Sequence, residues 1–307
     1  MSEARQAVAA KGSTGQFSPE AQEAIRTRAL TGNWEVRRLV KVLGELAQFD
    51  EVNEKMTSHA KGWAIGLFVA TFLGIFGAAV AQEFLGSALV WLLPPTLLGL
   101  AIWKLTRYLK LKKQDLINDF RTCLRPVLRD LAQDLDPSQK LRVRMDLAGP
   151  VDRKKTNECP APPGNYIKGK QHTFEDSWCE VRLPLVDGTT AVIEFDTKWI
   201  RLDVSKRGRR GKTKSKTKWR KECVARATLM PPASVRWDEA SLQARMDPRL
   251  EKVKLVDKDG VMCARMERFW RFKGIGDAPA EAPPGREVVG LLLRLHGAMM
   301  PSPEVSA

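Results

Sequence analysis

A run of basic residues between Lys206 and Lys221 is the part of the sequence whose residue types could do specific chemistry. The run contains ten Lys or Arg residues and no acidic residue. Such side chains offer positive charge and several N–H donors to phosphate or carboxylate oxygens. The run therefore predicts a binding site for anionic groups. Its basic members are Lys206, Arg207, Arg209, Arg210, Lys212, Lys214, Lys216, Lys218, Arg220 and Lys221.

The spacing within this run is typical of a β-strand. From Lys212 to Arg220 the basic residues occupy every second position. Residues two apart in a strand point to the same face, so five basic side chains are predicted on one face, with Trp219 on the other. Charges about 7 Å apart repel one another, and this row costs less free energy when anions face it.

Three classes of partner fit a basic strand in a chain of net charge +15. Anionic lipid headgroups and an acidic protein are the favoured partners. Nucleic acid is the third, although stacking of bases would require aromatic side chains and only Trp219 lies within the run. Outside the run, the aromatic residues that could approach it only through the tertiary structure are Trp199, Phe269, Trp270 and Phe272. A solvated loop without a ligand is the remaining interpretation.

Motifs for catalysis, cofactors and metals are absent from the sequence. It contains no GxxxxGK[ST], HExxH or GxSxG motif, and no GxGxxG that opens a helix. The five cysteines are scattered without a CxxC pair, and the three histidines are far apart. We therefore expect no enzyme activity, no cofactor, no metal site and no disulfide framework, and a reducing compartment suits these cysteines.

Residues 62–103 predict a transmembrane helical hairpin. The apolar runs Gly62–Ala81 and Phe84–Trp103 each have 20 residues, about the length that crosses 30 Å of hydrocarbon as a helix. Gln82 and Glu83 separate them. Burial of Glu83 in the bilayer would cost several kcal/mol, so we expect the chain to turn at Gln82–Glu83. Pro94–Pro95 predicts a kink in the second span.

The charges that flank the hairpin predict its orientation. Lys and Arg residues precede and follow it, whereas the turn contains none. By the positive-inside rule, both termini are expected to be cytoplasmic, and Trp63 and Trp103 fall at the membrane interface. The expected location is the inner membrane of a bacterial cell, as a multi-pass protein.

Small residues recur every four positions in the first span and predict a helix-packing stripe. This stripe could pack against the second span or against another copy of the chain. A hairpin that oligomerises would make a pore-forming or channel-like protein conceivable, with the remaining domain as its sensor. The residues of the stripe are Gly66, Ala70, Gly74 and Ala78.

The periodicity of the flanking segments divides the rest of the chain. Residues 1–16 show no period and are expected to be disordered. Residues 17–61 predict cytoplasmic helices, the first starting at Ser18-Pro19, and residues 104–136 predict one amphipathic stalk helix. Residues 137–276 predict a basic β-rich domain, and residues 277–307 a Pro-rich linker and a short C-terminal helix.

Alternating apolar residues indicate that residues 137–276 form an antiparallel β domain. Leu141–Leu147 reads as a strand, and hairpins are predicted around Asp187–Gly188 and Asp259–Gly260. We expect an α+β membrane protein with a two-span hairpin, flanking amphipathic helices and a small sandwich or barrel. Its expected role is non-enzymatic binding or scaffolding through the basic β domain. A pore-forming protein and a membrane-tethered nucleic-acid binder are the alternatives.

Overall fold

The computed structural model describes residues 17–85, 91–132, 135, 139–149, 157–161, 164, 166–207, 211–232, 234–258, 261–275 and 281–301. The chain forms two compact units. The helical unit comprises Met1–Arg26 and Glu45–Leu116, and the sheet unit comprises Thr27–Gly44 and Ile117–Ala307. The predicted disorder of residues 1–16 concerns residues outside this description.

Six α-helices and ten strands are described. The helices are α1 (Pro19–Thr27), α2 (Val36–Leu85), α3 (Leu93–Lys112), α4 (Arg125–Leu131), α5 (Glu239–Ala244) and α6 (Gly285–His296), and one π-helical turn, Phe120–Leu124, precedes α4. The strands are β1 (Ala29–Glu35), β2 (Lys140–Asp146), β3 (Asn157–Pro160), β4 (Lys168–Pro184), β5 (Thr190–Arg207), β6 (Thr213–Met230), β7 (Val235–Trp237), β8 (Glu251–Lys258), β9 (Val261–Ile275) and β10 (Met299–Pro301).

The helical unit contains one segment that could cross a membrane. Among the described residues, only Val36–Ala81 within α2 is long and apolar enough by length and composition. Leu39, Leu43 and Leu46 near its start are buried, but most of its large apolar side chains from Trp63 to Val80 are exposed, and Phe72 keeps 62% of its surface accessible. Helix α3 does not meet the same criterion, because Lys104, Arg107 and Lys110 lie within its 20 residues.

The ends of these helices correct two predictions about the hairpin. Helix α2 continues through Gln82–Glu83 to Leu85, so the turn predicted there is wrong. Pro94–Pro95 lie in the first turn of α3 and do not kink a helix. Proline is tolerated there because first-turn N–H groups have no partner within the helix. Residues 86–90, within the predicted second span, are outside the described residues.

The face of α2 that packs on α3 differs from the predicted stripe. A Cβ on Gly74 would lie 3.6 Å from Leu97 Cδ1, and Ala78 is buried, whereas Ala70 is half-buried and Gly66 is exposed. Each four-residue step rotates the helix by about 40° beyond a full turn, so the predicted stripe winds away from α3. The observed face alternates steps of four and three: Ala60, Ala64, Leu67, Thr71, Gly74 and Ala78.

The predicted stalk helix over residues 104–136 is not continuous. Helix α3 ends at Lys112, and helical structure resumes only at the π-turn and α4. Between them, the Ile117 N–H donates to the Leu147 carbonyl oxygen at 3.1 Å, just past the end of β2. The chain here bonds to the sheet unit instead of extending a helix.

An eight-stranded antiparallel sheet dominates the sheet unit, in place of the predicted sandwich or barrel, and β7 and β10 form a separate two-stranded sheet. The order of the eight-stranded sheet is β1-β2-β4-β5-β6-β9-β8, and β3 pairs with β4. The hairpins at Asp187–Gly188 and before Val261 are confirmed. Strand β5 pairs with β6 from Thr190 to Arg207 without interruption, so residues 190–207 form one long strand.

Strand β1 lies within residues 17–61, for which only helices were predicted. It pairs with β2 from Ala29↔Asp146 to Glu35↔Lys140. Gly32 adopts a φ of +133°, which favours glycine.

Helices cover one face of the sheet. Residues paired directly across an antiparallel sheet share a face. The row Val181, Ile193, Ala227 and Met266 is fully buried, and so are apolar residues of the π-turn, α4 and α6. We call the face of this row the covered face and the opposite face the open face.

Candidate anion-binding face

Strand β6 holds four basic side chains of the predicted run in one column on the open face. Their register partners on β5 alternate along that strand with residues of the covered face, so the four side chains point to the open face. All four are exposed. Lys212 is also exposed and precedes the strand. The column consists of Lys214, Lys216, Lys218 and Arg220.

The strands on either side add two further cations to this column. Lys206 on β5 is the register partner of Lys214, and Lys273 on β9 is the register partner of Arg220. Both are exposed. Lys273 was missed by the sequence analysis because its place beside the run depends on the β6–β9 register. Together these six residues form the cation cluster: Lys206, Lys214, Lys216, Lys218, Arg220 and Lys273.

Nearby cations on the open face are neutralised in pairs, whereas the cation cluster is not. Arg271 contacts Glu222 at 3.0 Å and Lys198 contacts Glu175 at 2.7 Å. Among the described residues, no ion pair involves a member of the cation cluster, and none of its register partners is acidic. Lys206 Nζ lies 6.0 Å from the ring centre of Tyr166. Positive charge is therefore concentrated at this end of the open face.

Aliphatic residues of β5 run beside the basic column. Ile200, Leu202 and Val204 are the register partners of Arg220, Lys218 and Lys216. Val204 is buried under the segment before β4, and Gly169 allows this close approach. A Cβ on Gly169 would lie 2.5 Å from Ala161 Cβ and 3.3 Å from Val204 Cγ1. The open face therefore combines cations with apolar surface.

The indole rings of Trp199 and Trp219 lie on the covered face, away from the basic column. Trp219 stacks on Phe174 with ring centres 6.4 Å apart and meets Trp199 edge-on at 6.3 Å. Because β6 side chains alternate, Trp219 points away from Lys218 and Arg220. These rings are therefore not placed to stack on a ligand held by the basic column.

Polar contacts fix the covered face at this end of the sheet. The Thr217 hydroxyl donates to Asp203 Oδ1 at 2.7 Å, and Arg201 Nε lies 2.9 Å from Asp203 Oδ2. Burial raises the pKa of Asp203, but the bonds from Thr217 and the charge of Arg201 outweigh it and hold the pKa below its ordinary value. Asp203 is thus an anion held by its partners on the covered face, on the opposite side of the sheet from the cation cluster.

Lys221 does not belong to the exposed set, which corrects the predicted site. It lies on the covered face with 1% of its surface exposed. Its Nζ is 2.5 Å from Asp119 Oδ1, donates to the Glu281 carbonyl oxygen at 2.8 Å and lies 4.8 Å from the Trp199 ring centre. Lys221 directly follows Arg220 and so breaks the every-second-position spacing. Because neighbouring residues of a strand point to opposite faces, Lys221 points to the covered face.

The remaining members of the predicted run are placed as follows. Arg207 is exposed at the end of β5, opposite Thr213. Arg209 and Arg210 lie outside the described residues. The cation cluster accordingly retains five of the ten predicted residues and adds Lys273.

Within the described part of the chain, no group of three or more His, Cys, Asp or Glu residues could hold a metal ion. All five cysteines are free. Burial raises the pKa of Cys123 and Cys179 well above its ordinary value and that of Cys223 to about 12. These three thiols are buried and protonated at neutral pH.

Comparisons of the chain with protein-family models, curated proteins and solved structures find no match.

Proposed function

We propose that the protein is a membrane-anchored, non-enzymatic binding protein that holds anionic groups on its open face. The observation that carries this proposal is the cation cluster, whose six exposed side chains have no ion pair among the described residues. Neighbouring like charges in a sheet oppose folding. An anionic ligand that screens them would offset this cost, which gives the arrangement a physical reason.

The anchor in this proposal is a hairpin formed by α2 and α3, with both termini in the cytoplasm. The exposed apolar side chains of α2 support it, because a surface this apolar is unfavourable in water and favourable in lipid. Trp63 and Trp103 are exposed, as residues at a membrane interface would be. Basic residues lie at the outer ends of the two apolar stretches, Lys55 and Lys61 before the first and Lys104 and Arg107 after the second, and this charge favours the cytoplasmic side.

Oligomerisation into a pore is the second candidate. The exposed position of Gly66, with no atom within 4 Å of a Cβ placed there, leaves a smooth patch on α2 that another copy could occupy. Two spans of one chain are too few to line a pore, so this function requires several copies of the chain. The oligomeric state in detergent separates this candidate from a monomeric anchor.

The experiment on anion binding uses the full chain. A fragment beginning after α4 would lose Leu30 of β1 and Phe120 of the π-turn, which are buried in the sheet unit. We would embed the protein in phosphatidylcholine nanodiscs and measure the salt concentration that elutes it from immobilised heparin, a general polyanion. Phosphate-type contacts make binding strongly salt-dependent.

The charge-reversed variant Lys214→Glu/Lys216→Glu/Lys218→Glu should elute at much lower salt than the wild type. A matched control is Lys140→Glu/Arg142→Glu/Arg144→Glu, three exposed residues at the same spacing on β2, where Glu35 and Glu180 are register partners. This control should elute close to the wild type. Equal losses in both variants, or no retention of the wild type at physiological salt, would contradict the proposal.

A further inference from the structure

Two exposed isoleucines lie on either side of the cation cluster. Ile275, the last residue of β9, is 71% exposed and is the register partner of Lys218. Ile167 is 54% exposed and precedes β4, where its N–H donates to the Ser205 carbonyl oxygen at 2.8 Å. Alternation along β4 places Ile167 on the face of Gly169, which is the open face.

This mixture of cations and exposed aliphatic side chains distinguishes between anionic ligands. Lysine and arginine side chains carry charge at the level of lipid phosphates, while a branched aliphatic side chain beside them can enter the apolar region below. Single-stranded nucleic acid would instead use aromatic side chains next to the cations. Here Trp199 and Trp219 occupy the covered face, and the ring that the described residues place beside the cluster is that of Tyr166, 6.0 Å from Lys206 Nζ at its edge.

We propose that the open face docks on the surface of an anionic phospholipid bilayer, with the cation cluster on headgroup phosphates and Ile167 and Ile275 inserted beside it. This inference rests on the proposed function, because the same cations bind the anion in both. A membrane anchor in the same chain raises the effective concentration of bilayer near this face, so even modest affinity is sufficient.

The test presents a second bilayer to the full chain. Protein in phosphatidylcholine nanodiscs is mixed with sucrose-loaded vesicles of phosphatidylcholine, either alone or with phosphatidylserine, and the pelleted fraction of protein is measured against lipid concentration. The wild type should pellet with the phosphatidylserine vesicles only. The Lys214→Glu/Lys216→Glu/Lys218→Glu variant should remain in the supernatant.

The isoleucine variants separate insertion from charge. Ile167→Ser and Ile275→Ser should each raise the lipid concentration for half-maximal pelleting about tenfold, the factor equivalent to about 1.4 kcal/mol of lost burial. The matched control is Val186→Ser, which removes a 75% exposed side chain from the turn between β4 and β5 and should change nothing. Thermal unfolding of each variant checks that the sheet unit is intact.

The isoleucine variants, the anionic vesicles and heparin together distinguish three outcomes. If both isoleucine variants pellet like the wild type while the charge-reversed variant does not, insertion is overturned and anion binding remains. If the wild type is retained on heparin but ignores anionic vesicles, the bilayer is not the ligand, and an acidic protein or nucleic acid takes its place. If the wild type binds neither heparin nor vesicles, the proposed function itself fails.

Discussion

The buried ion pair between Lys221 and Asp119 offers a test of how the sheet unit is held together. Lys221 on β6 and Asp119 before the π-turn are both buried, and the Lys221 Nζ also donates to the Glu281 carbonyl oxygen. The change to make is Lys221→Met, which keeps the length of the side chain and removes its charge. Asp119 would then be a buried carboxyl without its cation.

The expected destabilisation is about 3–5 kcal/mol, the usual cost of leaving one partner of a buried ion pair uncompensated. The double variant Lys221→Met/Asp119→Leu removes both charges and should lie within about 1 kcal/mol of the wild type, because it also removes both desolvation penalties. A matched single change at an exposed position of the same strand, Lys216→Met, should alter stability by less than about 0.5 kcal/mol.

The pH dependence of this effect has a defined sign. Burial raises the pKa of Asp119 above its ordinary value of 3.8, and the charge and hydrogen bond of Lys221 lower it only in part. Between pH 3.8 and the raised pKa, the Asp119 carboxyl keeps its proton in the folded protein, whereas the unfolded chain has lost it. Stability therefore falls as pH rises from 3.8 through the raised folded pKa. The penalty of Lys221→Met should consequently shrink as the pH falls towards 3.8.

The assay is equilibrium unfolding of the full chain in detergent, followed by tryptophan fluorescence, at neutral pH and near pH 4. Three results would support the reasoning together: a large loss in Lys221→Met, recovery in the double variant, and a smaller loss in acid. A double variant that is as unstable as the single variant would refute it, because the ion pair would then contribute more through attraction than it costs in desolvation.

Three further predictions concern packing and reactivity. A Cβ on Gly285 would lie 2.8 Å from the Cys123 carbonyl oxygen, so Gly285→Ala should destabilise the protein by about 1–3 kcal/mol. Gly290→Ala in the same helix should stabilise it by about 0.5–1 kcal/mol. Thermal unfolding of both variants measures these changes. Gly74→Leu should weaken the packing of α2 on α3 and lower the unfolding temperature in detergent. Gly66→Leu should leave the unfolding temperature unchanged. A change of oligomeric state in Gly66→Leu would instead support self-association. Iodoacetamide at neutral pH should modify only the half-buried Cys159 in the folded protein and all five cysteines after denaturation, as mass spectrometry would show.

Local patterns were sufficient for several of the strands and for the exposed basic column. The alternation of Leu141 to Leu147 and of Lys212 to Arg220 depends only on the two-residue period of a strand, which any sequence displays directly. The turn at Asp187–Gly188 depends on residue types that permit positive φ, and Gly188 adopts +82°. These features are confirmed in β2, in the β4–β5 hairpin and in β6.

The arrangement of the helices was less accessible to sequence reasoning. Gln82–Glu83 resembled a turn because both residues are polar. Polar side chains do not by themselves interrupt the backbone hydrogen bonds of a helix, and α2 continues to Leu85. Strand β1 has few β-formers, and it exists because β2 offers a free edge along its whole length. A tertiary partner therefore outweighed the local preference of residues 29–35.

The sequence by itself determined that the protein has a strongly apolar helix, a strand-rich region and a row of exposed cations, because hydropathy, period and charge are properties of neighbouring residues. Only the tertiary structure decided which cations act together. The register of β6 against β5 and β9 brings Lys206 and Lys273 to the basic column, and coverage of the other face by helices buries Lys221 against Asp119. Register and coverage depend on contacts between residues distant in sequence, so no local pattern could reveal them.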